Sequence, residues 1–275
     1  MFKFKQLFPN KCSVIAMVHA GAFPGTPLYR GSVQSIVDKA CMEAETYIKH
    51  QVDGIIVENM NDLPYIQSKH FGPETVATMT KICERVREIV PKNIPCGLQI
   101  LAGGNREALA VAKVCNFNFI RTEGFVFGHI ADEGMMDADA GLLLRYRKGI
   151  DAESVSIFTD IKKKHSSHAI TSDLSLVETA HAAEFFCSDG IILTGIATGS
   201  PASTEELLDL KTHCNLPVII GSGVTDCNVA NYSRADALIV GSYFKDNGNW
   251  MENVSPERVG RLMKVVNVFR TANRL

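Results

Sequence analysis

Residues 216–225 read LPVIIGSGVT, from Leu216 to Thr225. Four apolar residues, three of them β-branched, run without alternation and then stop at Gly221-Ser222-Gly223. A run that is apolar at every position belongs to a strand covered on both faces, which is the signature of a parallel sheet. Working outward, the same kind of run recurs at 13–19, 53–59, 94–101, 117–123, 154–162, 189–195 and 235–242. Helical periodicity fills the gaps, as in the stripe Ile36, Ala40, Ala44, Tyr47 and Ile48 and the stripe Val76, Met79, Ile82, Val86 and Ile89. The last stripe runs through Val259, Leu262, Val265, Val266 and Phe269. Eight alternations of strand and helix with no linker between them predict a single (β/α)8 barrel domain over 1–275, with a doubly wound open sheet as the rival.

Composition narrows the function. The chain has 275 residues, 46% of them hydrophobic, and a formal net charge of -2. No basic field advertises nucleic acid, and no apolar run approaches the ~20 residues of a membrane span. The opening MFKFKQLFPNK lacks the apolar core and cleavage site of a secretory leader. Eight scattered cysteines with no C-x-x-C pair read as reduced thiols of an intracellular protein. The expected location is cytoplasmic, with an organelle as the alternative.

The long connections 20–32, 60–73 and 124–137 each follow a strand, so a barrel places them at its C-terminal mouth, where such folds keep their sites. Polar residues that interrupt apolar strands near their ends are the informative ones, because a charge there is costly unless it is paired or used. They are His19, Glu58 with Asn59, Arg121 with Glu123, and Asp160 with Lys162, followed by Lys164 and His165. Asp160 and Lys162 are two apart, so strand alternation puts them on one face. A lysine so placed can protonate an enolate or neutralise a phosphate. The expected catalytic set is therefore Glu58, Asp160, Lys162, His19, Arg121 and His165. A ring of salt bridges closing the barrel top is the structural alternative. No cofactor is called for, although His19, Glu58, Asp160 and His165 could together hold a divalent metal.

Three neighbouring strand ends carry glycine with serine or threonine: GIATGSP at 195–201, Gly221-Ser222-Gly223, and Gly241-Ser242. Small residues let backbone N–H groups approach a phosphate in a concave array, which predicts a phosphate site on Gly221, Ser222, Gly223, Gly241, Ser242, Thr198 and Gly199. The expected partner is a phosphorylated small molecule.

The stretches MVHAGAFPGTPLY, DGIIVENMNDLPY, GPETVATMT, NFIRTEGFVFG, LLRYRK, DIKKKH, LTGIATGSP, VIIGSGVTDCNVANY and ADALIVGSYFK together resemble the BtpA family, over about Ser13 to Met263. Its bacterial members include a photosystem I biogenesis factor and SgcQ-type proteins. The resemblance implies a barrel of the ribulose-phosphate-binding type and a phosphate site, without fixing a reaction. Two places depart from the family pattern. LAGGNREA replaces a polar Arg-Asn-Asp type of turn after the third strand, and Thr122-Glu123 replaces a small residue and Asn after Arg121. Two functions follow: an enzyme of lyase, isomerase or aldolase type acting on a phosphorylated sugar or nucleotide-like molecule, or a non-catalytic assembly factor. Barrels of this kind often self-associate, so a homo-oligomer is expected.

Overall fold

The computed structural model describes residues 2–272. In chain order the elements are α1 (Phe2–Leu7), β1 (Ser13–His19), α2 (Val33–Lys49), β2 (Gly54–Glu58), α3 (Pro73–Ile89), β3 (Cys96–Gln99), α4 (Asn105–Val114) and β4 (Phe119–Thr122). There follow β5 (His129–Ala131), β6 (Gly134–Met136), α5 (Ala140–Gly149), β7 (Ser156–Asp160), β8 (Ser166–Ser167) and α6 (Leu176–Phe185). The chain ends with β9 (Gly190–Leu193), α7 (Thr204–His213), β10 (Val218–Ile220), β11 (Ala237–Val240) and α8 (Pro256–Ala272). Eight of the strands close a parallel barrel in the order β1-β11-β10-β9-β7-β4-β3-β2. Each lies inside one of the apolar runs read from the sequence. Between β10 and β11 the connecting helix shrinks to a 3-10 turn, Val229–Tyr232.

Alternation along each strand divides the core in two. Val14, Ala16, Val18, Ile55, Val57, Leu98, Ile120, Ile157, Leu193, Val218 and Ile220 face outward and pack under the helices. Ile15, Met17, Ile56, Phe119, Phe158, Ile192, Ile219 and Ile239 fill the barrel interior. Gly97 is part of that filling: a Cβ there would stand 2.0 Å from the Phe119 ring, so the aromatic occupies the space the glycine leaves.

The N-terminal end is sealed by a feature that periodicity did not predict. Helix α1 lies under the barrel and sends Phe4 and Phe8 into the interior cluster. Phe4 meets Phe158 at 5.6 Å and Phe8 meets Phe119 at 5.6 Å between ring centroids, both edge to face, a favoured aromatic geometry. At the other end the connection 124–137 is not a plain loop. It forms the β5–β6 hairpin, which β8 joins on its other edge. This small antiparallel sheet ties together the connections after β4 and β7.

Candidate functional site

Moving two residues up each strand from the apolar interior layer reaches the mouth. Met17 leads to His19, Ile56 to Glu58, Gly97 to Gln99, Phe119 to Arg121, Phe158 to Asp160, Ile219 to Gly221 and Ile239 to Gly241. The two-residue period of a strand thus carries each chain from packing into chemistry.

Arg121 and Asp160 are spent on each other. Arg121 Nε donates to Asp160 Oδ2 and its Nη2 to Oδ1, each at 3.0 Å, and both residues are buried. A bidentate, desolvated pair of this kind fixes orientation and leaves Asp160 without a free face for proton transfer. The charge that remains uncommitted is Glu58. Its carboxylate accepts no hydrogen bond among the described residues. Burial raises its pKa, against the pull of Lys164 and Arg121.

His19 is held as a neutral ring. Its Nδ1 lies 3.1 Å from the Trp250 carbonyl, which can only accept, so Nδ1 carries the proton. Burial first, then the nearby Lys245 ammonium, pushes its pKa down to about 3. The bare Nε2 faces Glu58 Oε2 at 4.0 Å. Lys245 itself is buried 2.6 Å from Glu43 on α2, and Glu43 accepts the His19 backbone N–H at 3.3 Å.

The expectation that Asp160 and Lys162 share one face is corrected by the structure. Strand β7 ends at Asp160 and the chain bends at the next two residues, so alternation no longer applies. Lys162 lines two grooves outside the mouth, one between the connections after β4 and β7 and one between those after β7 and β9. Lys164 enters the mouth instead, where burial and the Arg121 charge lower its pKa. His165 stays exposed. Its Nε2 accepts the Thr198 N–H at 3.1 Å and lies 3.0 Å from the Thr198 hydroxyl, clasping the connection after β9.

The mouth has two lobes that share Glu58, Met60, Lys164 and Thr198. The first, about 140 Å³, is lined by Thr198, Gly199, Gly221, Ser222, Gly223, Gly241 and Ser242, with His19 and Arg121 at its floor. Gly223, Val224, Ser242 and Tyr243 line it, and their N–H groups have no protein acceptor among the described residues. The Ser222 side chain links two neighbouring connections. Its hydroxyl donates to Ser200 O at 2.9 Å and accepts from Gly195 N–H at 2.8 Å, so it bolts two connections together. Gly223 has φ +70, and a Cβ there would stand 2.3 Å from the Pro201 backbone, so this glycine is required by the close approach of two chain segments.

Arg258 joins this lobe and was not singled out in the sequence. It sits in the first turn of α8, its Nε donates to Tyr243 O at 2.6 Å, and its guanidinium lies 4.4 Å from the centroid of the Tyr243 ring. A signal existed: a cation in a first turn opposes the helix dipole, so its presence there asks for another reason.

The second lobe, about 230 Å³, is lined by Gln99, Glu123, Lys163 and His165 together with Leu63, Tyr65, Leu101 and Trp250. Glu123 is buried, and desolvation raises its pKa to about 7 against the pull of Lys163. Gly103 N–H donates to Glu123 Oε2 at 3.0 Å. The stretches Gly103-Gly104 and Thr122-Glu123 are therefore joined by a hydrogen bond.

The set weighed for a divalent metal does not gather. Asp160 is committed to Arg121, His165 to Thr198, and among the described residues no three His, Cys, Asp or Glu groups form a metal-holding cluster. All eight cysteines are free. No helix of the described residues is long and apolar enough to cross a membrane.

Comparison with known proteins agrees with this architecture. The BtpA family profile matches residues 10–268. An uncharacterized mitochondrial protein of Caenorhabditis elegans is 45% identical over 269 residues, covering 97% of each chain. The photosystem I biogenesis protein BtpA of Synechocystis is 33% identical over 264 residues, covering 95% of this chain and 90% of its own. Among solved structures, phosphoribosyl anthranilate isomerase from Thermus thermophilus superposes with a TM-score of 0.57 at 9% identity, over 94% of this chain and 99% of that one. That likeness is one of fold.

Proposed function

The chain belongs to the BtpA family, and we propose that it is an enzyme that anchors a phosphorylated small molecule in the small-residue lobe and moves a proton at Glu58. The carrying observation is that Glu58, buried and without a hydrogen-bond partner among the described residues, lies where the two lobes join. The N–H groups of Gly223, Val224, Ser242 and Tyr243 offer a concave donor array, and Arg258 adds a cation. Binding energy from a remote phosphate would position the reacting end over Glu58. The Glu58 carboxylate would take a proton from a hydroxyl-bearing carbon beside a carbonyl and, as the acid, return it to the former carbonyl carbon while the hydroxyl proton passes to the carbonyl oxygen, which is isomerase chemistry. Lys164 stands beside Glu58 in both lobes and would stabilise the oxyanion of the enolate formed between the two transfers. His19 Nε2, a bare acceptor, would take a substrate hydroxyl. The name of the Thermus thermophilus neighbour, which refers to a phosphoribosyl substrate, supports the same class of ligand.

The name of the Synechocystis relative favours a second reading, a non-catalytic assembly factor. The two readings part on one experiment. Calorimetric titration with inorganic phosphate and sugar phosphates, followed by turnover assays on the ligands that bind, should give a Glu58→Gln variant that binds as wild type does and turns over at least 100-fold more slowly. A chain that binds none of them, or whose Glu58→Gln variant is unchanged in every assay, is the assembly factor. The free thiols support an intracellular location, and the mitochondrial relative extends that to an organelle.

A further inference from the structure

The second lobe is larger than the first and differs from it in kind. Leu63, Leu101 and Trp250 give it apolar walls, and Tyr65 presents its ring, because its hydroxyl is already donated to Met60 O at 2.7 Å. Polar groups converge at one end. Gln99 Nε2 donates to Glu123 Oε1 at 3.3 Å, while Gln99 Oε1 is buried with no partner among the described residues. A buried amide oxygen without a donor is a deficit that a ligand N–H would remove. Asp132, Glu133, Lys163, Lys164, His165 and Thr198 complete the lining. A flat ring needs apolar faces and a polar edge, and Leu63, Leu101, Tyr65 and Trp250 supply the first while Gln99 and Glu123 supply the second.

We propose that the second lobe is a subsite for a nitrogen heterocycle, lying against Trp250 and Tyr65 and donating an N–H to Gln99 Oε1 with Glu123 beside it. The whole ligand is then nucleotide-like: phosphate in the small-residue lobe, sugar across Glu58, heterocycle in the second lobe. The inference rests on the phosphate reading above and extends it. Glu123 faces Lys163 at 3.8 Å from the connection after β7, Gln99 from β3 and the Gly103 N–H from the connection after β3. Lys163 in turn is held 3.4 Å from Glu133 on the β5–β6 hairpin. The polar edge is therefore built from strand β3 and three connections and is set before a ligand arrives.

The test is titration of the full chain with inorganic phosphate, ribose 5-phosphate, the four common nucleoside 5′-monophosphates and the matching nucleosides. Heat and the fluorescence of Trp250, the one tryptophan of the chain, are both read. At least one nucleotide should bind tenfold or more tightly than ribose 5-phosphate and change the Trp250 emission, which ribose 5-phosphate should leave alone. Gln99→Leu should erase the tenfold gain and keep ribose 5-phosphate affinity, and Trp250→Phe, read by heat, should weaken the nucleotide about threefold. Arg258→Gln should weaken nucleotide and sugar phosphate alike. If every nucleotide matches ribose 5-phosphate, the subsite is overturned and the phosphate reading stands. If nucleosides bind as well as nucleotides and Arg258→Gln changes nothing, the phosphate reading falls and the heterocycle subsite stands. If no probe binds, both fall.

Discussion

The two ends of the barrel interior are built by the same strands, yet they do opposite work. At the N-terminal end Phe4, Phe8, Phe119 and Phe158 interlock, with Phe119 and Phe158 at 5.3 Å between centroids. Two residues further along those two strands stand Arg121 and Asp160, and on neighbouring strands His19, Glu58 and Gln99. The lower layer removes water and gains contacts. The upper layer buries polar groups that bring no such gain: Arg121 and Asp160 pair with each other, while the Glu58 side chain and Gln99 Oε1 have no hydrogen-bond partner among the described residues. What the comparison teaches is that a barrel strand separates stability from chemistry by one side-chain period.

The contrast breaks most visibly at the lower layer. Phe119→Ala should cost about 3–5 kcal/mol, because the aromatic cluster and Gly97 leave a cavity that cannot collapse. Denaturant midpoints would show it, and ligand affinity of the folded fraction should stay at the wild-type value. A variant that keeps its midpoint would mean the plug is not where stability resides.

Arg121→Met sharpens the comparison from the other side. It leaves Asp160 buried and unpaired, for a loss of about 3 kcal/mol, and the double change with Asp160→Leu should recover most of it. If the single change is silent, the pair is not desolvated in solution and Asp160 regains a claim to proton transfer. Glu58→Gln should behave in the opposite way. Burial raises the Glu58 pKa, so the carboxylate costs stability above its ordinary titration range, and the amide should raise the midpoint at pH 8 while turnover falls 10²- to 10⁴-fold. A drop in midpoint with activity retained would make Glu58 a packing residue.

How much of this division was legible in the sequence follows from where alternation holds. Apolar runs named all eight strands, and within them the polar interruptions His19, Glu58, Arg121 and Asp160 stand at the mouth because β-geometry persists up to those residues. It fails one step later. Lys162 lies past the end of β7, where the chain bends, and Lys164 takes the place that period two had given to it. Trp250 and Tyr65 reach the mouth through irregular connections, for which sequence has no period to read, and Arg258 reaches it from the first turn of α8. The α1 plug escaped because six residues are too few for a helical stripe. Gln99 was hidden by its setting, a single amide in the run IPCGLQIL.

The pH dependence separates two groups of the mouth by sign. Glu123 titrates near 7 in the folded chain and near its ordinary 4.5 when unfolded. The folded state therefore holds a proton between those values that the unfolded state has lost. Its contribution to stability is present below 4.5 and disappears as pH rises through 7. His19, held down to about 3 from 6.5, works the other way: its contribution is present above 6.5 and is lost as pH falls. Denaturant midpoints of wild type and Glu123→Gln, measured from pH 4 to 8, should therefore draw apart in favour of the amide as pH rises. Curves that run parallel would put the Glu123 titration at its ordinary value and leave the second lobe with a plain carboxylate.

The smallest effect concerns Ser222, whose hydroxyl is engaged within the chain. As a phosphate ligand its hydroxyl would touch the anion, and its removal would be felt only when ligand is present. As a bolt it donates to Ser200 O and accepts from Gly195 N–H whether or not anything is bound. Ser222→Ala breaks both bonds at a buried site and should lower stability by about 1 kcal/mol in the free chain. Affinity for phosphate should fall only about threefold, through loosening of the connection that carries Gly199. The two roles give opposite orders of effect, so comparing the midpoint of the free chain with the calorimetric affinity decides between them. A free chain of unchanged stability with binding weakened tenfold or more would return Ser222 to the ligand, and would mean that the small-residue lobe grips its anion with side chains as well as backbone.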